Sequence, residues 1–176
     1  MIELVGKNIR LRTLEREHCR QLWQEYEPEQ PVATEPTNPG YSVEGAELWF
    51  EDMQKAQGKT QVYLGIFLTD GILTGDIQLA NIDWRHRTAS LGISITKREH
   101  RGRGYATDAV LVLVKYAFEE LDLFRLTART LEHNTAARKV LENTGFIQEG
   151  CERQAVTIAG RRWDRLVFGL LRSDLV

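Results

Sequence analysis

Two β-type segments, ASLGISI (residues 89–95) and RLTARTL (125–131), are separated by one long amphipathic helix, and this arrangement limits the fold more than any other feature of the chain. The helix, Tyr105 to Leu121, lines up Ala109, Val110, Leu113, Val114, Ala117, Phe118 and Leu121 on one face. Strands joined through a helix lie parallel, by a right-handed crossover. The strands before the crossover follow a different rule. QVYLGIFL (61–68) and ILTGDIQLANIDW (72–84) are joined through Asp70-Gly71, a tight hairpin turn suited to positive φ, and the polar turn RHRT (85–88) leads into the third strand. One crossover after an antiparallel meander predicts an α/β (α+β) fold with a mixed, mostly antiparallel sheet flanked by helices.

The remaining segments fit around that centre. GKNIRLRTL (6–14) reads as a single strand, followed by a helix from Glu15 to Tyr26. All four prolines fall in EPEQPVATEPTNPG (27–40), which predicts a long loop, because proline fixes φ and lacks the backbone donor. Ser42 is a helix start signal for Ser42 to Gln57, where Ala46, Trp49, Phe50 and Met53 recur at helical spacing. A short helix, TAARKVLENT (135–144), is stopped by Gly145, and two last strands surround Ala159-Gly160. With 176 residues and no repeat, residues 1–176 form one domain. A composition of 42% hydrophobic and 27% charged residues, with no run near the roughly 18 apolar residues of a spanning helix, excludes a membrane-embedded or disordered chain. MIELVGKNIRLR lacks the features of a secretory signal, so a cytoplasmic protein is expected. Cys19 and Cys151 are far apart and predict two reduced thiols with no metal site.

The net charge of −2 gives no reason to expect nucleic-acid binding, yet the charge is uneven. Residues 1–60 hold eleven acids against seven bases, whereas 85–103 hold six bases (Arg85, Arg87, Lys97, Arg98, Arg101, Arg103) against Glu99. Part of that excess lies in REHRGRGYATDA (98–109), between the third meander strand and the long helix. Gly102 and Gly104 allow a turn with inward N–H groups, and a helix N-terminus adds unpaired donors and positive dipole, a combination suited to phosphate. Arg101 and Arg103 could neutralise the remaining phosphate oxygens. An ordinary glycine turn is the bland alternative. The nucleoside-triphosphate loop is excluded because no Lys-[Ser/Thr] follows, and the dinucleotide fingerprint has Thr107 in place of its third glycine.

RGRGYA (101–106) matches the [QR]-x-x-G-x-[GA] signature of the GNAT superfamily of N-acetyltransferases, with Arg101, Gly104 and Ala106 in the signature positions. The resemblance extends from IRLRTL through LGISITKREHRGRGYATDA and NTAARKVLENTGFIQEG to AGRRWD, and is closest to the Rim-type ribosomal-protein branch. It implies that acetyl-CoA lies between two splayed parallel strands, here LGISI and RLTARTL. By the same resemblance Ile93, Ser94 and Ile95 pair with the pantetheine arm. The amides of Arg101, Gly102, Arg103, Gly104, Tyr105, Ala106 and Thr107 wrap the pyrophosphate, and Asn134 contacts the pantetheine near the thioester. Asn134 is equally suited to cap its own helix.

The reaction implied is attack of a primary amine on the thioester carbonyl. Here the sequence departs from its relatives: Ser90 stands where many carry a glutamate, Leu141 where many carry a tyrosine, and Ala137 where some carry a serine. Ser90 and Asn134 are therefore the catalytic candidates, with Glu132, His133, Asp83, His86 and Asp164 as further polar groups nearby. Freeing an α-amine of pKa about 7.8 at pH 7 costs about 1 kcal/mol, against about 4.6 kcal/mol for a lysine-like amine. The expected acceptor is the α-amine of a protein or peptide; a small-molecule amine and a non-catalytic acyl-CoA-binding role are the alternatives. Glu25, Glu27, Glu29 and Glu35 could attract it, and Trp49, Trp84 and Trp163 could wall its pocket. The expected partners are that amine and a second copy of the chain, with no nucleic acid, membrane or metal.

Overall fold

A computed structural model describes residues 1–27 and 42–175; the proline-bearing stretch 28–41, with Glu29 and Glu35, lies outside them. The described residues form eight strands and four α-helices: β1 (Glu3–Val5), β2 (Ile9–Thr13), α1 (Arg16–Glu25), α2 (Val43–Ala56), β3 (Val62–Leu68), β4 (Leu73–Asp83), β5 (Thr88–Ile95), α3 (Tyr105–Glu119), β6 (Arg125–Leu131), α4 (Thr135–Asn143), β7 (Ile147–Ile158) and β8 (Arg161–Leu171). They build one sheet in the order β1-β2-β3-β4-β5-β6-β8-β7. Every neighbouring pair is antiparallel except β5 and β6, the two ends of the crossover.

Local signals act where the sequence places them. Ser42 Oγ accepts from Gly45 N (3.2 Å) and starts α2. Gly71 (φ +89°) turns β3 into β4, Gly145 (φ +90°) ends α4, and Ala159 with Gly160, both at positive φ, form the β7–β8 turn. The strand expected within 6–14 is β2, and before it residues 3–5 form β1, an unexpected strand that pairs with β2 as a hairpin. Gly6 N donates to Ile9 O, and the Asp108 carboxylate on α3 accepts from Lys7 N and Asn8 N. A carboxylate a hundred residues away closes this turn, so two-residue periodicity carries no trace of it.

The sheet separates two apolar layers. On one side Ala109, Val110, Leu113, Val114, Ala117 and Phe118 of α3, with Leu141 of α4, pack on Ile9, Leu11, Leu64, Ile66, Ile77, Leu79 and Leu91. Burying each large side chain contributes roughly 1.5–3 kcal/mol. On the other side Cys19 and Leu22 of α1 and Met53, Trp49 and Phe50 of α2 pack on Tyr63, Phe67 and Leu73. Alternation along β3 puts Phe67 on this face with Tyr63, and the register shift between Ile66 and Phe67, which leaves Thr74 as the extra residue on β4, turns Leu73 to the same face. Gly65 keeps room there: a Cβ would lie 2.6 Å from Leu14 Cδ2. Helices α1 and α2 thus cover only the β3–β4 half of that face.

Candidate active site

The parallel ladder between β5 and β6 is short. It pairs Thr88–Leu91 with Arg125–Ala128 and then stops, while β5 continues on β4 as far as Ile95 and β6 continues on β8 as far as Leu131. A fork therefore opens between residues 92–95 and 129–131, where the strands no longer pair with each other. Ile93 and Ile95 pack toward α3, and alternation sends Gly92 and Ser94 to the α1–α2 face. Ser90 sits at the base of the fork, its Oγ 3.2 Å from Thr127 Oγ1 on β6.

The chain leaves β5 at the open end of this fork and reaches α3 through a 3-10 turn (Arg98–His100) and two glycines. Gly102 (φ +71°) and Gly104 (φ +83°) take left-handed conformations, and a Cβ at either would meet no atom within 4 Å. Gly104 is the N-cap of α3 and has no side chain to cap it. Among the described residues no hydrogen bond engages the N–H groups of Gly102, Arg103, Gly104, Tyr105, Ala106 or Thr107; the first amide of the helix to find an acceptor is Asp108, on Gly104 O. Six successive donors at a helix N-terminus, with Arg103 exposed among them, suit a diphosphate.

Arg101 differs from the expectation that its side chain neutralises phosphate. Its amide is used by Arg98 O, and its guanidinium turns inward, Nε to Ile95 O (3.0 Å) and Nη2 to Thr96 O (3.1 Å) and Glu27 O. Other bases of 85–103 also have local partners: Arg87 holds Asp122 (2.6 Å) and Lys97 holds Glu25 (3.3 Å). Two of the six bases thus face carboxylates and the Arg101 guanidinium faces carbonyls, and Glu25 and Glu27 are engaged there too.

Asn134 is the N-cap of α4, its Oδ1 accepting from Ala137 N at 3.0 Å, and it stands just past the end of β6. Glu132, His133 and Asp164 lie at the same end. Glu132 and Asp164 are joined by two hydrogen bonds, Glu132 N to Asp164 O and Asp164 N to Glu132 Oε1, and the His133 ring lies tilted against Trp163 with centroids 4.1 Å apart. Asp83 and His86 form an exposed turn between β4 and β5, at the strand end opposite the fork, and Trp84 donates there to Lys59 O. Of the three tryptophans proposed as pocket walls, Trp49 is the one in the α1–α2 layer, edge-on to Tyr63 at 5.4 Å.

The group that sequence reasoning missed is Asp76. It lies on β4 directly opposite Ser94, one strand spacing of about 4.8 Å from the forked strand. Its Oδ2 accepts from Tyr63 Oη at 2.7 Å. Burial raises its pKa to about 6, against the pull of the Tyr63 hydrogen bond, yet the residue keeps part of its surface accessible. The same surroundings raise Tyr63 well above its ordinary value, and burial followed by the Asp76 charge pushes the Cys19 thiol up to about 12. A signal was present in the sequence, because Thr74, Asp76 and Gln78 alternate with apolar residues in β4. That pattern normally marks a solvent face, whereas here α1 and α2 pack over it.

A forked parallel pair beside a helix N-terminus of unengaged amides, with a carboxyl set on the opposite face, defines an acyl-transfer fold built around a phosphate-bearing thioester. The chain belongs to the GNAT acetyltransferase domain family, whose model matches residues 8–147, and is an acetyl-CoA-dependent N-acetyltransferase. It is 36% identical over 137 residues to the probable N-acetyltransferase YjcK of Bacillus subtilis, covering 76% of this chain and 75% of that one. It is 38% identical over 107 residues to YdaF, a Bacillus subtilis protein that carries the name of a ribosomal N-acetyltransferase, covering 61% and 58%. Among solved structures it is similar to a Vibrio cholerae spermidine N-acetyltransferase in complex with CoA and spermine (TM-score 0.84, 25% identity, 96% and 98% covered). Among the described residues no cluster of His, Cys, Asp and Glu could hold a metal ion, and no helix is long and apolar enough to cross a membrane.

Proposed function

We propose that this chain transfers the acetyl group of acetyl-CoA to the α-amine of a protein or peptide, in the cytoplasm, with Asp76 as the proton acceptor. The reading rests on the fork: it opens between unengaged amides on one side and a cleft carboxyl on the other. The amides of Gly102 to Thr107 hold the pyrophosphate, the edges at 92–95 and 129–131 receive the pantetheine arm, and the donor of Asn134 steadies it beside α4. The bound cosubstrate supplies the activated carbonyl. Trp49 and Tyr63 wall the acceptor amine, which approaches from the α1–α2 face. As the C–N bond forms and the C–S bond breaks, the amine proton passes to the Asp76 carboxylate and the thiolate leaves.

Proton affinity supports the α-amine as the acceptor class. Moving a proton from an α-ammonium of pKa about 7.8 to a carboxylate of pKa about 6 is uphill by about 2 kcal/mol, whereas from an ammonium of pKa about 10.4 it is uphill by about 6 kcal/mol. A carboxylate this weak serves the first acceptor far better. The likeness to YdaF supports the same class, and the likeness to a spermidine acetyltransferase makes polyamine the competing one. Incubation with radiolabelled acetyl-CoA, a panel of N-terminal peptides and spermidine tests the reading. Label on peptides is expected; label on spermidine alone overturns the acceptor class, and CoA binding with no transfer to any amine overturns catalysis.

A further inference from the structure

The residue that opens the glycine turn has three backbone carbonyls within reach of one guanidinium, and they come from two different parts of the molecule. Ile95 O and Thr96 O end β5, the forked strand; Glu27 O follows the last turn of α1, the helix above the acceptor cleft. Glu27 is bound to the same place twice more. Its N–H donates to Thr96 O (3.1 Å) and its Oε2 accepts from Arg98 N (2.8 Å). Next to these, Lys97, one residue before Arg98, pairs with Glu25, two residues before Glu27, at 3.3 Å. From the other side Thr96 N donates to Thr74 O (2.9 Å), and Thr74 Oγ1 lies 2.6 Å from His100 Nδ1. The 3-10 turn is thus held between β4 and the end of α1.

We propose that Arg101 is a positioning residue, not a phosphate ligand: its guanidinium clamps the end of α1 to the end of β5, so that the acceptor wall and the cofactor turn move as one body. A planar fork of five donors can reach several carbonyls at fixed angles, which a lysine ammonium cannot do. The arrangement also explains why a turn that presents amides outward begins with an arginine. The charge is directed at carbonyl oxygens behind the turn, leaving the phosphate to the amides of Gly102 to Thr107 and to Arg103.

The inference rests on the proposed acetyl transfer for its substrate-side readout only. Three proteins are compared with the parent chain: Arg101→Ala, Arg101→Lys and Arg103→Ala. Calorimetry with coenzyme A at two salt concentrations measures the cofactor site, and amide hydrogen exchange at Glu27 and Arg98 measures the clamp. For Arg101→Ala and Arg101→Lys alike, exchange at both amides should rise about tenfold or more as the junction opens locally. Their affinity for coenzyme A should stay within about threefold of the parent, with the same salt dependence. Arg103→Ala should weaken coenzyme A about tenfold, the loss of one charge-assisted contact, with a flatter salt dependence and parental exchange. In the transfer assay, KM for the acceptor peptide should rise in both Arg101 variants while KM for acetyl-CoA holds. The proposal is overturned if Arg101→Ala loses coenzyme A affinity as Arg103→Ala does and leaves Glu27 exchange unchanged, or if Arg101→Lys restores the clamp fully. Should no peptide be acetylated, the acceptor reading fails, while the exchange and calorimetry still decide the clamp.

Discussion

Asp76 sits in the form that the fold least prefers at neutral pH. Its ordinary value is 3.8 and burial raises it to about 6, so between those two values the folded chain holds a proton that the unfolded chain does not. Acidifying from neutrality toward pH 4 therefore adds stability through this group, and above about pH 6 the full penalty is present. Its upper limit is about 3 kcal/mol, reduced by the solvent that reaches the carboxyl. Asp76→Asn should be more stable than the parent by about 1–3 kcal/mol at pH 7.5 and no more stable near pH 4, as urea unfolding at the two values will measure. The same substitution should lower kcat/KM about a hundredfold or more and remove the limb near pH 6 on which parental activity rises as the carboxylate forms. A single side chain would then trade stability for reactivity. Gly104 gives a second prediction at this scale: Gly104→Asp places a carboxylate among the amides at φ +83°, and titration should show coenzyme A binding abolished with the circular dichroism spectrum retained.

Among the elements, α4 and β4 carry separable tests. The Asn134 side chain caps α4 through its oxygen, so Asn134→Ala should destabilise by about 1 kcal/mol in thermal unfolding. Asn134→Asp keeps that oxygen and loses the amide donor; stability should hold while KM for acetyl-CoA rises. On β4, a Cβ at Gly75 would lie 2.1 Å from Ser94 O, a backbone atom that cannot swing aside. Gly75→Ala should cost about 3 kcal/mol or more by pushing β4 from β5, and Gly71→Ala, in an open turn, should cost only about 1 kcal/mol. Elements bounded by their own residues were legible in the sequence: Ser42, Gly71, Gly145 and the Ala159-Gly160 pair act within a few positions of themselves. The glycine turn after β5 was legible for the same reason. What stayed hidden depends on distant partners. Asp108 closes the first hairpin, Glu27 receives Arg101 from 74 positions away, and β8 rather than β7 lies next to β6, a choice that no local pattern encodes. Asp76 belongs to that group, because its meaning comes from the helices above it.

Across the whole molecule the sheet consists of two banks, β1 to β5 and β6 to β8, that share one four-pair ladder and the packing of α3 behind it. Anything that binds both banks at once stabilises the whole. Coenzyme A at a hundred times its Kd should add about 2.7 kcal/mol, a rise of a few degrees in Tm. Hydrogen exchange should slow on binding at 92–95 and 129–131, and hardly change at 88–91, where the ladder is already closed. On the proposed reading the cosubstrate is a temporary rung of the architecture, filling the unzipped length of the seam in each turnover and leaving it open between turnovers.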